Sequence, residues 1–339
     1  MNKRKEKVKT NKTINYILLL LLFITGFFLG FLFNSSSQTE DSNTFTQSRL
    51  KGYVYINPLI DFESVQSAKV GEIVKLESEL KRYISQKTTE YTKSNVTHIS
   101  VYYKDLNSGA WIGVNEEEKF APASLLKLPV MIAVYKISES NPSFLTNKIQ
   151  FEKEDIAMTQ NIDPKLHLEE GKEYTIDELV DRIIRYSDND SLTAILDTIS
   201  YEQLVEIYSE LGLPNPYERD SIDTLSVKEY ASFFRILYNA SYLNKDMSEK
   251  ALKLLSTTEY DEGLASGIPS DVKIANKFGE RENLDDLTLA RKQLHDCGIV
   301  YHSSKPYILC VMTKGASFNS LQAVLKDISK IVYEKVDTK

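Results

Sequence analysis

The spacing of apolar residues along the chain changes twice, and the changes separate strand-like regions from a long helical one. Residues 70–92 carry apolar side chains at helical spacing, which predicts a surface helix packed on a sheet. Residues 98–103 and 110–114 are short apolar runs separated by the turn-rich 104–109, so they predict a hairpin. From 143 to 255 the pattern is helical and predicts no strand.

The last part of the sequence returns to strand-like runs and ends in a helix. Strands are predicted at residues 272–277, 287–289, 297–302 and 307–313. Residues 315–335 are predicted to form a closing helix. This order predicts an α+β fold with a mostly antiparallel five-stranded sheet flanked by helices, plus an all-helical lobe at about 143–255. A cleft between the lobe and the sheet edge is the expected place for a functional site.

Polar residues inside the helical region mark predicted helix starts. Thr175 is followed by Glu178, and Ser226 is followed by Glu229, which are both capping-box patterns. Ser248 is predicted to cap a further helix.

The N-terminal part of the chain differs in composition from the rest. Residues 1–13 carry a net charge of +5, and residues 14–33 are uncharged and rich in Leu, Phe and Ile, long enough to span a membrane. The preceding basic residues predict a cytoplasmic N-terminus and a single-pass anchor. Residues 34–50 are polar and predict a flexible tether to an extracytoplasmic domain at 51–339. A cleaved secretory signal is the alternative, but residues 33–37 offer a poor cleavage site.

Charge and cysteine content narrow the classes of function. Subtracting the +5 of the basic tail from the total charge of −7 leaves −12 on the remainder, which argues against nucleic-acid binding. Cysteines and histidines are not grouped at metal-ligand spacing, so no metal and no other cofactor is predicted. Cys297 and Cys310 form either a cross-strand disulfide or two buried thiols. The histidines that we interpret as structural or surface residues are His98, His167, His295 and His302.

The most informative stretch carries Ser124 and Lys127, three residues apart. On a helix they share a face, so the amine lies beside the hydroxyl. A lysine desolvated among leucines could have its pKa lowered enough to become the base that activates a serine nucleophile. Pro122 suits a first helical turn, whose N–H groups favour developing negative charge. Alone, the pattern favours a buried serine at the N-terminal end of a helix over a nucleophile. Ser78 and Lys81 repeat the spacing on a polar helix without an assigned role.

Two later motifs change the interpretation of that pair. Ser187-Asp188-Asn189 lies between two predicted helices, and Lys277-Phe278-Gly279 lies on a predicted strand. In order, the three motifs resemble the Ser-x-x-Lys, Ser-Asp-Asn and Lys-Thr-Gly motifs of the penicillin-recognising acyl-serine enzymes. The chain resembles the class A β-lactamase-like branch of that superfamily from about Val96 onward, which implies the same two-lobed fold.

The resemblance implies roles for the matching residues. The implied catalytic residues are Ser124 as nucleophile, Lys127 as base, Ser187 as proton relay and Lys277 as a positive charge beside the relay. The implied substrate-binding residues are Asn189, Gly279 and Glu280. Asn189 would hold the substrate amide, and Gly279 suits a strand edge that approaches the ligand. The N–H groups of Ser124 and Glu280 would form the oxyanion hole.

Two departures from the family pattern bear on activity. Phe278 stands where the family usually has a hydroxyl that helps to bind a substrate carboxylate. Residues 211–225 lack the family's Glu-x-x-Leu-Asn, whose Glu activates the deacylating water. We interpret the nearby carboxylates as turn caps or ion pairs; they are Glu218, Asp220 and Asp223.

The sequence therefore predicts a membrane-anchored serine hydrolase that is acylated but turns over β-lactams poorly. Its expected substrate is a small molecule or peptide, for example a cell-wall peptide or a β-lactam. Two alternatives stay open. One is a catalytically silent domain that binds wall peptide or a partner protein, and the other is a true β-lactamase that uses another carboxylate.

Overall fold

The computed structural model describes residues 52–58, 68–153, 161–162, 164–213, 224–283, 288 and 290–338. The predicted basic tail, membrane-spanning run and tether lie outside these residues. Among the described helices, none has the length and apolar character needed to cross a membrane. The described residues all belong to one compact unit, Ser48–Lys339.

An antiparallel five-stranded sheet lies at the centre of this unit, as predicted. The described strands are β1 (Val96–Asp105), β2 (Trp111–Val114), β3 (Lys148–Gln150), β4 (Glu173–Thr175), β5 (Ile274–Glu282), β6 (Lys292–Val300) and β7 (Tyr307–Gly315). The five-stranded sheet has the order β2-β1-β7-β6-β5, so β2 and β5 are its edges. Central β7 is an almost unbroken apolar run because both of its faces are covered.

Several strand predictions need correction, and one of them is β6, which begins five residues before its predicted start at Cys297. The prediction of no strand between 143 and 255 is wrong, because β3 and β4 pair antiparallel. Their three-residue ladder is too short for periodicity to reveal it. The predicted strand at 287–289 lies outside the described residues except for Thr288, which is in no strand. Strand β5 continues five residues past its predicted end at Lys277, so the whole third motif lies on the sheet edge.

Helices cover both faces of the sheet. They are α1 (Ala68–Thr89), α2 (Tyr91–Ser94), α3 (Lys127–Ser140), α4 (Ile176–Arg185), α5 (Asn189–Leu196), α6 (Tyr201–Glu210), α7 (Val227–Tyr238), α8 (Lys245–Leu255) and α9 (Phe318–Asp337). Short 3₁₀ helices occur at Ala123–Leu126, Pro142–Thr146 and Leu264–Gly267. Helices α3 to α8 lie between β2 and β5 in the chain and contribute most of one hydrophobic cluster, whereas α1 and α9 contribute to a second cluster.

The capping signals are confirmed at two of three helix starts. The Thr175–Glu178 and Ser226–Glu229 pairs form complete capping boxes. The prediction for Ser248 is wrong, because α8 begins earlier and Asn244 accepts from the N–H of Met247. The buried hydroxyl of Ser248 donates to the backbone carbonyl of Leu243 instead.

The two cysteines are joined in a disulfide. Cys297 on β6 pairs directly with Cys310 on β7, and their Cα atoms are 4.0 Å apart. Both side chains are buried in the cluster that faces α3 to α8. The register of the two strands decides between the two possibilities that the sequence left open.

Candidate active site

Ser124 lies on a tight turn rather than on a regular α-helix. Residues Ala123–Leu126 form a 3₁₀ helix that leads directly into α3. Pro122 precedes it with a φ of −66°, whereas Ala123 has a φ of +48°, in the left-handed region. A non-glycine residue in that region indicates local strain, which often accompanies a functional residue. The spacing of three still brings Lys127 Nζ to 3.0 Å from Ser124 Oγ.

The Lys127 amine is buried and surrounded by oxygen atoms. Its Nζ donates to the backbone carbonyl of Ser187 at 2.5 Å and to Oδ1 of Asn189 at 2.6 Å. Ser187 Oγ lies 3.2 Å from the same nitrogen. Both carbonyl oxygens can only accept, so a neutral amine that donates to them keeps its lone pair for a hydroxyl. Burial lowers the pKa of Lys127 to about 7, although the carboxylates of Asp188 and Glu280 oppose the shift.

Ser187 lies between two lysines at the start of α5. Its Oγ accepts from Lys277 Nζ at 3.0 Å and also lies within hydrogen-bonding distance of Lys127 Nζ. The residue is buried and has a φ of +57°, a second left-handed position in the site. Asp188 caps α5 by accepting from the N–H of Asp190, so the cap and the site share one motif.

Lys277 is fully buried on edge strand β5. It donates to Ser187 Oγ and, at 2.9 Å, to the carbonyl of Phe278. Burial, followed by the nearby charge of Lys127, holds the pKa of Lys277 well below its ordinary value. Two lysines that share one serine hydroxyl therefore form a network through which a proton can move.

Gly279 brings β5 against the Ser124 turn. A Cβ atom at this position would lie 2.9 Å from Leu125 Cγ and 3.0 Å from both the Leu125 nitrogen and the Pro122 carbonyl oxygen. Only glycine fits such an approach without displacing one of the two segments. The structure thus places the predicted strand edge directly beside the candidate nucleophile.

The side chain of Glu280 has a partner that the sequence did not suggest. Its carboxylate accepts from Asn161 N at 2.8 Å, from Asn161 Nδ2 at 2.5 Å and from Ile162 N at 3.4 Å. The partners are more than a hundred residues away in the chain, so no local pattern indicates this contact. These contacts involve the side chain only. The role of the Glu280 backbone N–H as an oxyanion-hole donor stays a prediction.

The aromatic ring of Phe278 is buried, and the Nζ atom of Lys277 lies 4.3 Å from its centroid. The ring stacks on Tyr260 with ring centroids 4.1 Å apart and belongs to the hydrophobic cluster formed with α1 and α9. Beside it, the fully buried Asp296 accepts from Asn276 Nδ2 at 2.9 Å and from Leu264 N at 2.8 Å. Burial raises the pKa of Asp296 to about 6. No local pattern indicates a role for Asp296, because its partners lie on other elements.

His295 is hydrogen-bonded to the backbone just before the Ser124 turn. Its Nδ1 accepts from the N–H of Thr313 at 3.2 Å, so its Nε2 donates to the carbonyl of Ala121 at 3.0 Å. This agrees with the interpretation of His295 as a structural residue. Across the described residues, no group of three or more His, Cys, Asp or Glu side chains is arranged to hold a metal ion.

The buried hydroxyl and amine network is the arrangement that acyl transfer through a serine requires. The sequence model of the beta-lactamase enzyme family matches residues 75–336, well over half of the chain. The chain belongs to the beta-lactamase enzyme family.

Individual beta-lactamases that are similar to this chain share about a quarter of their aligned residues with it or fewer. Beta-lactamase OXY-1 of Klebsiella oxytoca is 24% identical over 177 residues, which cover 48% of this chain and 60% of that protein. The chain therefore spans less than two thirds of that relative. Beta-lactamase OXY-2 of the same organism is 23% identical over 210 residues, covering 58% of this chain and 71% of that protein.

Solved structures share the fold of this family member. An acyl-enzyme complex of a PBP-A mutant with penicillin G has a TM-score of 0.64 at 20% identity, covering 78% of this chain and 97% of that one. A beta-lactamase from Xanthomonas campestris pv. campestris also has a TM-score of 0.64 at 20% identity, covering 77% and 98%. At these identities the likeness shows a common architecture.

Proposed function

We propose that the protein is a serine hydrolase that forms an acyl-enzyme on Ser124 and acts on a peptide, ester or amide substrate. The observation that carries the proposal is the 3.0 Å distance between Lys127 Nζ and Ser124 Oγ inside a buried network. A pKa of about 7 leaves much of Lys127 as the free amine at neutral pH. A base with a pKa close to the working pH is the most effective one.

Acylation would begin with attack of Ser124 Oγ on the acyl carbonyl carbon, while its proton passes to the lone pair of Lys127. Ser187 would then give its own proton to the leaving atom as the bond to that atom breaks. Lys127, 3.2 Å from Ser187 Oγ, would return the transferred proton to Ser187. The products are an ester on Ser124 and a protonated leaving group, and Lys277 would hold Ser187 in place throughout.

Negative charge on the carbonyl oxygen would be stabilised by the N–H groups of Ser124 and Glu280. The close approach of Gly279 to the Ser124 turn supports this assignment, because it sets the two backbone segments side by side. Removing one such donor costs about 3–4 kcal/mol in comparable enzymes.

Slow hydrolysis of the acyl-enzyme is the second part of the proposal. Residues 211–225 lack the family's deacylating motif, and the carboxylates Glu218, Asp220 and Asp223 lie outside the described residues. Phe278 supplies no hydroxyl for a substrate carboxylate, and its ring is buried. A PBP-A mutant has been captured as an acyl-enzyme with penicillin G, so acylation of this fold by a β-lactam has a precedent.

The test is covalent labelling of the full-length protein with a panel of fluorescent acylating probes that includes a penicillin. We expect a mass increase on Ser124 that is absent from Ser124→Ala. The matched control is Ser78→Ala, because Ser78 has the same spacing to Lys81, whose amine is paired with Glu77 on the surface. Equal labelling of wild type and Ser124→Ala would contradict the nucleophile assignment. Cephalosporin turnover on the order of 10 per second would contradict slow hydrolysis.

We also propose that residues 14–33 anchor the protein and that the domain faces the cell exterior. The uncharged run of 20 residues and the basic tail before it support this orientation. Added protease should digest the domain in intact cells from which the cell wall has been removed. Protection of the domain from the protease until the cells are lysed would contradict the proposed exterior location.

A further inference from the structure

A second cleft lies where strands β1 and β2 meet helix α7, at the end of the sheet order opposite to β5. Tyr102 and Lys104 are two residues apart on β1, and Lys104 pairs across the ladder with Trp111 on β2, so the three side chains share one face. Lys228 and Arg235 are seven residues apart on α7 and line the other wall. We call this the β1–α7 cleft; it encloses about 430 Å³, within the range of sites for small ligands.

The carboxylates that line this cleft are already paired with cations. Glu117 accepts from Lys228 Nζ at 2.5 Å. Both oxygen atoms of Glu229 accept from Lys119 Nζ at 2.5 Å, and one of them also accepts from the backbone N–H and the hydroxyl of Ser226 at the start of α7. These ion pairs neutralise both carboxylates, so the charge that remains in the cleft is that of its other cations.

Lys104 and Arg235 are the two cations that remain. Among the residues that the structure describes, no carboxylate forms an ion pair with either side chain. The Nζ atom of Lys104 donates to the carbonyl of Gly109 at 2.7 Å, which leaves it two further N–H groups. Burial and then the charge of Arg235 lower the pKa of Lys104, whereas Asp105 raises it. Asp105 is next to Lys104 on the strand, so its side chain leaves on the opposite face, where it accepts from two backbone N–H groups of the following turn. The cleft thus holds two like charges that repel each other and that an incoming anion would stabilise.

Trp111 adds apolar surface beside these charges. Its indole stacks on Tyr102 with ring centroids 5.6 Å apart, and Lys228 Nζ lies 5.4 Å from the centroid of the Trp111 ring. These contacts hold the ring in place, yet 45% of Trp111 is exposed. An exposed aromatic side chain that lines a cleft is suited to contact a ring of a ligand.

We propose that the β1–α7 cleft binds a phosphate monoester carried on a ring, which is an aryl phosphate or a sugar phosphate. Two cations outside ion pairs match the charge of about −1.5 to −2 that a phosphate monoester carries at pH 7 better than the single charge of a carboxylate. The guanidinium of Arg235 can hold two phosphate oxygens at once, and the ring would pack on Trp111. The chain carries a net charge of −7, so this attraction for anions is a local property of the cleft. The proposal does not depend on acylation of Ser124.

The experiment titrates the full-length protein with ring phosphates and follows its tryptophan fluorescence. Trp111 is the only tryptophan in the chain, so a change in emission reports on this cleft. Phenyl phosphate and glucose 6-phosphate represent the two sources, and the tighter of them identifies the kind of ring; benzoate supplies a ring with a single negative charge. We expect saturable binding of at least one ring phosphate, at least about tenfold tighter than that of benzoate. Arg235→Gln and Lys104→Gln should each weaken this binding at least about tenfold.

Arg82→Gln is the matched control, because it removes the same charge from an exposed position on α1. It should keep the wild-type affinity, and a loss as large as that in Arg235→Gln would overturn the assignment to this cleft. A second measurement does not depend on any variant folding, since isothermal titration calorimetry compares the same three probes on the wild type. Absence of ring-phosphate binding in both measurements would overturn the proposal, and so would benzoate that binds as tightly as the phosphates.

Discussion

The Nζ atom of Lys127 donates to the Oδ1 atom of Asn189 over 2.6 Å. The sequence suggested that Asn189 holds the substrate, and the structure shows its amide oxygen bound to the candidate base. An uncharged oxygen orients the amine and favours its protonation much less than a carboxylate at the same distance would. The amide therefore suits a lysine that must be neutral to act as a base.

Asn189→Asp tests this relationship. The added carboxylate should raise the pKa of Lys127 by about one to three units, because an opposite charge now lies within hydrogen-bonding distance. Acylation in the wild type should increase as pH rises through about 7, where Lys127 loses its proton. In the variant this rise should occur at higher pH, so the rate at pH 7 falls.

The measurement is the pH–rate profile of acylation with a neutral ester probe. Asn141→Asp makes the same change at an exposed position after α3 and should leave the profile where it is. Superimposable profiles for Asn189→Asp and wild type would exclude Lys127 as the titrating base.

Ser187 supports a prediction that separates chemistry from strain. Ser187→Ala and Ser187→Gly both remove the hydroxyl shared by Lys127 and Lys277, so both should slow acylation by about 10²-fold or more. Only glycine adopts the φ of +57° without strain, so Ser187→Gly should be more stable than Ser187→Ala by about 1 kcal/mol. Urea unfolding gives the stability difference. A more stable alanine variant would show that the backbone at this position is not strained.

Gly279→Ala should disturb the site by steric contact, without removing any reacting group. The added methyl group would lie within 3.0 Å of the Pro122 carbonyl oxygen and the Leu125 nitrogen, so β5 and the Ser124 turn must separate. We expect acylation to fall at least about tenfold, because small displacements of reacting groups are costly. Gly71→Ala is the control, since its Cβ would meet nothing within 4 Å on α1. It should stabilise the protein by up to about 1 kcal/mol and leave acylation unchanged.

Asp296 should make the stability of the protein depend on pH in the mildly acidic range. Its pKa is raised to about 6 in the folded state, above the value of an unfolded chain. The folded protein then binds more protons than the unfolded chain. The stability that Asp296 contributes is therefore fully present below about pH 4 and is lost as pH rises through about 6. Two pKa units correspond to about 3 kcal/mol.

Asp296→Asn removes this titration. Its free energy of unfolding should therefore rise relative to wild type by an amount on the order of 3 kcal/mol between pH 4 and pH 7. Urea unfolding at several pH values supplies the comparison, and only the difference between the two proteins is interpreted. A difference that stays constant over this range would show that Asp296 does not titrate there.

Local features of this protein could be predicted from the sequence because they depend on residues that are close in the chain. The three-residue spacing puts Lys127 beside Ser124 even though the turn is 3₁₀ rather than α-helical. The capping boxes at Thr175 and Ser226 close within one helical turn. Alternation and apolar runs likewise predicted the antiparallel sheet, since a strand pattern reflects which faces are buried.

Other features were decided only by the tertiary structure, because they depend on which surfaces meet. Ser187 is 60 residues from Lys127 and 90 from Lys277, and only the folding of the chain places its hydroxyl within reach of both amines. The same holds for the contact of Glu280 with Asn161 and for the pairing of Cys297 with Cys310, which needs the β6–β7 register. A sequence lists the candidate groups, whereas their short distances arise when folding brings them together and their low pKa values arise when folding removes water from around them.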